Sequence, residues 1–307
     1  MYKILLAPTL EAAKSIDYPE ASVEAEYGEE CVRGRMVTLA HHTREYQGNP
    51  APCNSAVDIL PDGSAILISH IDLDTLGGIF ALTGRKRENR EFWEAAEFID
   101  LNGSHHIHEL PGVIQEKLNA FYAFETMMRE QARLSGRYPF KTLTDVTEDV
   151  ESRWIAIDAI LDLSHPEHDE MIRRGVEWNR KITKKVESKL VCEVCGIREF
   201  ITDGVFCSAS YYSPRQGRIM PATISYNTVS NAITVSFADQ GEKINARDFV
   251  QTEWGDKAGG HAGIAGSPRG KKMDITDFYQ AAERLAVLMG EKYHECIEAG
   301  RHCRTSV

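Results

Sequence analysis

A chain of 307 residues with 46 acidic and 35 basic side chains, a net charge of −11, is long enough to bury two cores of ordinary domain size. That acidic balance disfavours non-specific duplex binding, which draws affinity from phosphate neutralisation by Lys and Arg, but it leaves room for a small phosphorylated substrate where bound cations dominate the local field. No run of eighteen apolar residues occurs and residues 1–8 lack a signal-peptide pattern, so no membrane partner and a cytoplasmic location are expected, with the seven scattered cysteines as thiols rather than a disulfide framework.

In chain order, residues 3–7 read as a short strand, residues 10–30 are acidic and mixed, and residues 34–39 read as a second strand leading into Ala40-His41-His42-Thr43-Arg44. Two prolines, Pro50 and Pro52, then enforce a loop. His41 and His42 fit two readings equally, as groups approaching a substrate or as exposed histidines at a strand end. After the Asp62-Gly63 turn, Ala65-Ile66-Leu67-Ile68 reads as a strand covered on both faces, followed by Ser69-His70-Ile71-Asp72-Leu73-Asp74 and by Gly77-Gly78, which allow a helix over 75–82 to pack closely. One imidazole and two alternately spaced carboxylates at a strand end suit a divalent cation; a solvated turn with an aspartate helix cap is the competing reading. Residues 96–100 are expected to form another strand ending in Asp100. Ser104-His105-His106-Ile107-His108 follows at once, the densest set of potential ligands in the chain.

Helices are predicted over 111–134, opened by a proline, and over 147–163, where Asp158 and Asp162 share a face. His165-Pro166 marks a boundary, and a charged helix over 167–190 serves as connector. Strands are expected over 190–201 and 204–210, then a hairpin of 222–226 with 232–237 around residues 227–231. Cys192 and Cys195, with Cys207 as a third ligand, suggest zinc only weakly, since alternation points the two thiols of C-x-x-C to opposite faces and no second C-x-x-C exists. A short helix ends near Trp254. Beyond it, Lys257, Gly259, Gly260, His261 and Arg269 lie in a glycine-rich loop whose backbone N–H groups and cationic side chains suit phosphate oxygens. A last helix is expected over 275–296, before a short tail.

The stretch 69–74 with its small-residue helix start, and Gly259-Gly260-His261-Ala262-Gly263-Ile264-Ala265-Gly266 far downstream, together resemble the DHH phosphoesterase family and its C-terminal domain. The resemblance implies an α/β protein of two domains, with a parallel-sheet N-terminal domain flanked by helices, a smaller mixed-sheet C-terminal domain, and an active-site cleft between them. The divisions are 1–165 for the metal-binding domain, 166–190 for the connecting helix and 191–307 for the substrate-binding domain. Asp100 is similar to the family's second motif, an aspartate at a strand end. Ser104-His105-His106 is similar to the third, Asp-His-His, with serine in place of the acid; Asp158, with Asp162 behind it, is the candidate for the fourth. On that basis His70, Asp72, Asp74, Asp100, His106 and Asp158 are expected metal ligands for two Mn2+ ions, with Mg2+ or Co2+ as substitutes. Asp74, His105 and His106 are expected to be catalytic, and Lys257, Gly259, Gly260, His261 and Arg269 to bind substrate. The implied reaction is hydrolysis of a phosphoester or phosphoanhydride bond in a small nucleotide or short oligonucleotide, by a chain for which a homodimer is compatible. The altered third motif keeps open a member of the same fold that binds nucleotide or metal without hydrolysis.

Overall fold

In the computed structural model, which describes residues 2–85, 89–204, 207–239 and 244–290, the chain divides into two units. Met1–Leu101 and Leu110–Asn179 form the first, Asn102–Glu109 and Arg180–Val307 the second. The elements run β1 (Lys3–Leu6), α1 (Leu10–Lys14), β2 (Ala21–Val23), a hairpin of β3 (Glu26–Tyr27) and β4 (Glu30–Cys31), β5 (Val37–Leu39), a 3-10 turn at Pro52–Asn54, β6 (Ala65–Ile68), α2 (Leu73–Leu82), α3 (Arg90–Asn102) and a 3-10 turn at Ser104–Glu109. There follow α4 (Gly112–Leu134), β7 (Thr144–Asp145), α5 (Thr147–Leu161) and α6 (His168–Glu187).

The sheet of the first unit has the order β5-β2-β6-β1-β7, with β7 antiparallel and the other neighbours parallel. Its central strands β1 and β6 are short and largely apolar, as parallel strands covered on both faces are; Ile66, Leu67 and Ile68 are fully buried. The register sets Val23 level with Leu39 on one side and with Ile68 on the other. Residues that follow these three strands, Glu24, Ala40-His41-His42 and Ser69-His70, therefore emerge side by side along one carboxyl edge.

The second unit contains β8 (Leu190–Val194), β9 (Ile197–Thr202), a 3-10 turn at Ser208–Ser210, the hairpin β10 (Tyr212–Ser213) and β11 (Arg218–Ile219), β12 (Ala222–Asn227), β13 (Ala232–Phe237), α7 (Ala246–Trp254), β14 (Gly259–Gly260), β15 (Ile264–Gly266) and α8 (Ile275–Leu288). The mixed sheet runs β14-β15-β13-β12-β9-β8, and Ile197, Ile224 and Val235 from its strands share a core with Phe249, Phe278 and Leu285 from α7 and α8. A fully buried Arg198 donates to Glu193 at 3.0 Å and to the Ser210 carbonyl at 2.6 Å, tying the turn at Ser208–Ser210 to the sheet. The α/β class, a parallel-dominated first sheet and a mixed second sheet agree with expectation. Among the described residues no helix is long and apolar enough to cross a membrane.

Several elements differ from the expected ones. The strand expected over 96–100 is part of α3, because the buried residues Phe92, Trp93, Ala95, Ala96 and Ile99 follow helical spacing once the segment is read from Arg90. The single strand expected over 190–201 is a hairpin that turns at Cys195 and Gly196, both at positive φ. Most of the stretch 204–210 forms no strand: Ser208–Ser210 is a 3-10 turn, and residues 205–206 lie outside the described ones. Residues 291–296 of the expected last helix and the tail also lie outside them. Cys192 takes part in a disulfide, contrary to the expected set of thiols, while Cys31, Cys53, Cys195 and Cys207 remain thiols.

Candidate metal centre

Glu24 is the hinge of the site. It follows directly on β2 at φ 48°, and its side chain is 1% exposed. Its Oε1 lies 3.0 Å from His41 Nε2 and 3.1 Å from His42 Nε2, while Oε2 accepts from the Thr75 hydroxyl at 3.0 Å and lies 3.4 Å from His70 Nε2. One carboxylate thus serves two neighbouring groups of potential ligands, Glu24 with His41, His42 and Asp100, and Glu24 with His70 and Asp72.

Local chemistry positions each partner. The backbone N–H groups of His41, His42 and Thr43 all donate to the Glu26 carboxylate, at 3.3, 3.3 and 2.6 Å, which fixes the histidine pair at the end of β5. Asp72 caps α2 by accepting from the Thr75 N–H at 2.9 Å, and its other oxygen meets His70 Nε2 at 2.9 Å. The cap and the ligand readings of this aspartate are therefore compatible. Ser69 Oγ approaches His70 Nδ1 at 2.8 Å and donates to the Glu24 carbonyl. In the first turn of α2, Asp74 accepts from the Cys53 N–H at 2.8 Å. The turn carrying Cys53 also reaches α3, where Asn54 donates to Glu97 at 2.6 Å and to the Trp93 carbonyl at 3.3 Å, and Asp100 lies one turn further along α3. Gly77 and Gly78 permit the close approach: a Cβ on Gly77 would stand 2.4 Å from Cys53 Cβ, and one on Gly78 would stand 2.8 Å from both Pro52 and Val23.

These contacts leave an imbalance. His41 Nε2 faces three carboxylates at once, Glu24 at 3.0 Å, Asp100 at 3.1 Å and Asp74 at 3.3 Å, and a single N–H cannot satisfy three acceptors. Asp74 Oδ2 and Asp100 Oδ2 are buried without a hydrogen bond. Burial pulls His41 down, but Asp100, Asp74 and Glu24 outweigh it and raise the imidazole to about 12; against the same burial, Asp72 and Glu24 raise His70 to about 10. Glu24 is pushed up by burial yet held far below the carboxylate range by His41, His42 and His70. Asp74 is raised, chiefly by burial. The cluster thus demands positive charge at its centre.

A divalent cation meets that demand in geometry as well as in charge. Donor atoms about 2.1 Å from an ion at octahedral or tetrahedral angles are themselves roughly 3.0–3.4 Å apart, which is the spacing found around His41 Nε2 and Glu24 Oε1. Mixed imidazole and carboxylate donors suit Mn, Fe, Co or Zn.

The first unit brings together His70, Asp72, Asp74 and Asp100 from the expected ligands. Asp158 lies on the exposed face of α5 and belongs to none of the groups; Asp162 is the C-cap of that helix and accepts from the backbone and hydroxyl of Ser164. His105 and His106 belong to the second unit, where they form a separate group with Asp239. There His106 meets Asp239 at 3.2 Å and Glu109 at 3.0 Å, His105 Nε2 meets the Ala238 carbonyl at 2.9 Å, and burial lowers His105. The expected phosphate loop is an edge hairpin, with Lys257, Gly259, Gly260, His261 and Arg269 exposed. Gly260 is required in it, since a Cβ there would stand 2.5 Å from the Ile264 carbonyl. Glu24 escaped the sequence reading. Its one signal is a strand of three small or apolar residues that ends in a carboxylate, within a stretch already rich in acids.

No protein-family profile and no curated protein matches the sequence. Among solved structures, the chain is similar to the pGpG-specific phosphodiesterase PggH from Vibrio cholerae, at 12% identity over 93% of this chain and 88% of that one, with a TM-score of 0.48. It also matches an exopolyphosphatase-related protein from Bacteroides fragilis, at 14% identity over 52% of this chain and 49% of that one, with a TM-score of 0.26.

Proposed function

We propose that the chain is a metal-dependent phosphohydrolase acting on a small nucleotide or short oligonucleotide. The observation that carries the reading is that Glu24 is shared by two ligand groups, so that its carboxylate would help to hold a cation in each. His41, His42, Asp74 and Asp100 would complete one position, His70 and Asp72 the other. When bound, two divalent cations, of which Mn2+ is our choice, lower the pKa of the attacking water and neutralise charge developing on phosphoryl oxygens. The protein's own part is orientation. Thr75 and Cys53 fix Glu24 and Asp74, Ser69 and Glu26 fix the histidines, and the half-exposed His42 and His70 mark the side open to substrate. The 259–266 hairpin with Lys257, Gly259, Gly260, His261 and Arg269 remains proposed for substrate binding by the second unit, and His105 and His106 remain proposed as catalytic residues.

The test is metal content and turnover of the purified protein with manganese, across pyrophosphate, a nucleoside bisphosphate, a cyclic dinucleotide and a two-to-five-nucleotide RNA, beside Glu24→Gln. We expect two ions per chain in the wild type, one or none in Glu24→Gln, and hydrolysis of one substrate that the variant abolishes. Two bound ions with no turnover of any substrate would establish a binding protein instead. Unchanged metal content in Glu24→Gln would remove the two-cation reading.

A further inference from the structure

On the carboxyl edge of the first sheet, next to the ligand cluster, lies a cavity of ≈ 260 Å³ whose lining begins with Ser69 and His70 at the end of β6. His70 belongs to both places, since its Nε2 meets Asp72 and Glu24 while the residue lines the cavity. Besides aliphatic groups such as Leu6, Pro8 and Ile71, the lining holds two kinds of group suited to a ring. Met128, Tyr138 and Phe140 supply polarizable and aromatic faces, with the two rings edge to face at 6.1 Å. Arg153 and Glu125, each 5% exposed, supply a buried ion pair: Arg153 Nη2 donates to Glu125 at 3.2 Å and Nη1 to the Asp149 carbonyl at 2.8 Å.

We propose that this cavity is the site for the nucleobase of the substrate, whose phosphorus lies at the neighbouring cluster. The inference rests on the phosphohydrolase reading and sharpens it. Charge argues against a chain of phosphates here. Of the two carboxylates of the lining, Glu125 is paired with both Arg129 and Arg153 and Asp149 with Arg137 at 3.1 Å, while the His70 imidazole of the lining is paired with Asp72 and Glu24. A polyanion would have to compete with carboxylates for every cation here, because Arg129 and Arg153 face Glu125, Arg137 faces Asp149, and His70 faces Asp72 and Glu24, whereas a neutral ring gains stacking from Tyr138 and Phe140 and an edge of mixed donors and acceptors from the ion pair. Size points the same way. Pockets for whole drug-sized ligands hold roughly 300–1,000 Å³, so this cavity takes one ring system rather than an entire dinucleotide. Continuity through His70 puts the ring and the reacting phosphate on one molecule.

The experiment is calorimetric binding of a nucleoside 5′-monophosphate and of inorganic phosphate to the full chain with manganese, repeated with the bare nucleoside in chelator. We expect the mononucleotide to bind at least about tenfold tighter than phosphate. Met128→Trp, which fills the cavity, and Phe140→Ala, which removes a stacking face, should each weaken the mononucleotide by roughly five- to a hundredfold and bring its ratio to phosphate toward one. Equal affinities in the wild type, or a ratio that survives both variants, overturns the proposal. Should Met128→Trp fail to fold, the wild-type ratio and Phe140→Ala decide. Metal-dependent cleavage with no preference for a base-bearing substrate sinks the cavity assignment and leaves the hydrolase reading. Nucleoside binding in chelator, with no cleavage of any substrate, keeps the cavity and sinks that reading.

Discussion

At the scale of residues, the cluster depends on groups that touch no substrate. The Thr75 hydroxyl donates to the same Glu24 oxygen that faces His70, so it selects the carboxylate's rotamer. Losing such a partner costs about 10–100-fold in metal affinity or activity. Thr75→Val, nearly isosteric, should therefore weaken manganese binding within that range, read by competition with a chelating dye, and an unchanged affinity would show that Glu24 is held by its other contacts alone. Cys31 reports on the support beneath the histidine pair. Burial, aided by Glu26 and Glu45, pushes its thiol up to about 12 from the ordinary 9.0, and Glu26 is the carboxylate that anchors His41, His42 and Thr43. Only the thiolate alkylates. The logarithm of the Cys31 iodoacetamide rate should keep climbing with pH past 9 instead of levelling there, as followed by peptide mass spectrometry. The shift also has a stability sign: above pH 9 the unfolded thiol ionises and the folded one resists, so this contribution is lost as pH rises from about 9 toward 12.

At the scale of elements, α2 and the Pro52–Asn54 turn form one device, with Gly77 as its contact point. Gly77→Ala would force a Cβ to within 2.4 Å of Cys53 Cβ and 2.6 Å of its Cα, a clash with backbone that cannot swing away. Overpacking of this kind costs about 1–3 kcal/mol. Because the same Cys53 holds Asp74, the variant should lose stability in urea and manganese affinity together; a loss of stability alone would mean that the turn does not position Asp74. This pairing also explains what could be read from the sequence. Clean periods were readable: β6, α2, α4, α5 and the β12–β13 hairpin lie where apolar spacing puts them, and His70, Asp72 and Asp74 were visible because they end a strand of unbroken apolar residues. Asp100 was legible as a ligand candidate but not as part of a helix, since its last turn read alone mimics a strand end. Glu24 was hidden, because β2 has only three residues and acidic neighbours blur its edge. The partnership of His41 with Asp74 and Asp100 is tertiary, and no local pattern encodes it.

At the scale of the whole molecule, the acidic balance and the division into units make one prediction. With 46 acidic against 35 basic residues, and with Glu24, Asp72, Asp74 and Asp100 gathered at one sheet edge, the first unit without cations holds concentrated like charge offset mainly by imidazolium. A ligand that binds only the folded state stabilises it by about 2.7 kcal/mol at a hundred times its dissociation constant, so manganese should raise the protection of amides in β2, β5 and β6 against hydrogen exchange. The second unit has its own core, and its strands β12 and β13 should exchange at the same rates with and without metal. Residues 102–109 separate this expectation from one based on chain position. They lie in sequence between two parts of the first unit, yet His105 packs on Tyr211 with ring centres 4.6 Å apart and His108 stacks on Tyr212 at 3.6 Å, both in the second. Their amides should therefore stay unmoved by manganese along with β12 and β13. If instead they gain protection, manganese also binds the second unit's own group of His105, His106 and Asp239.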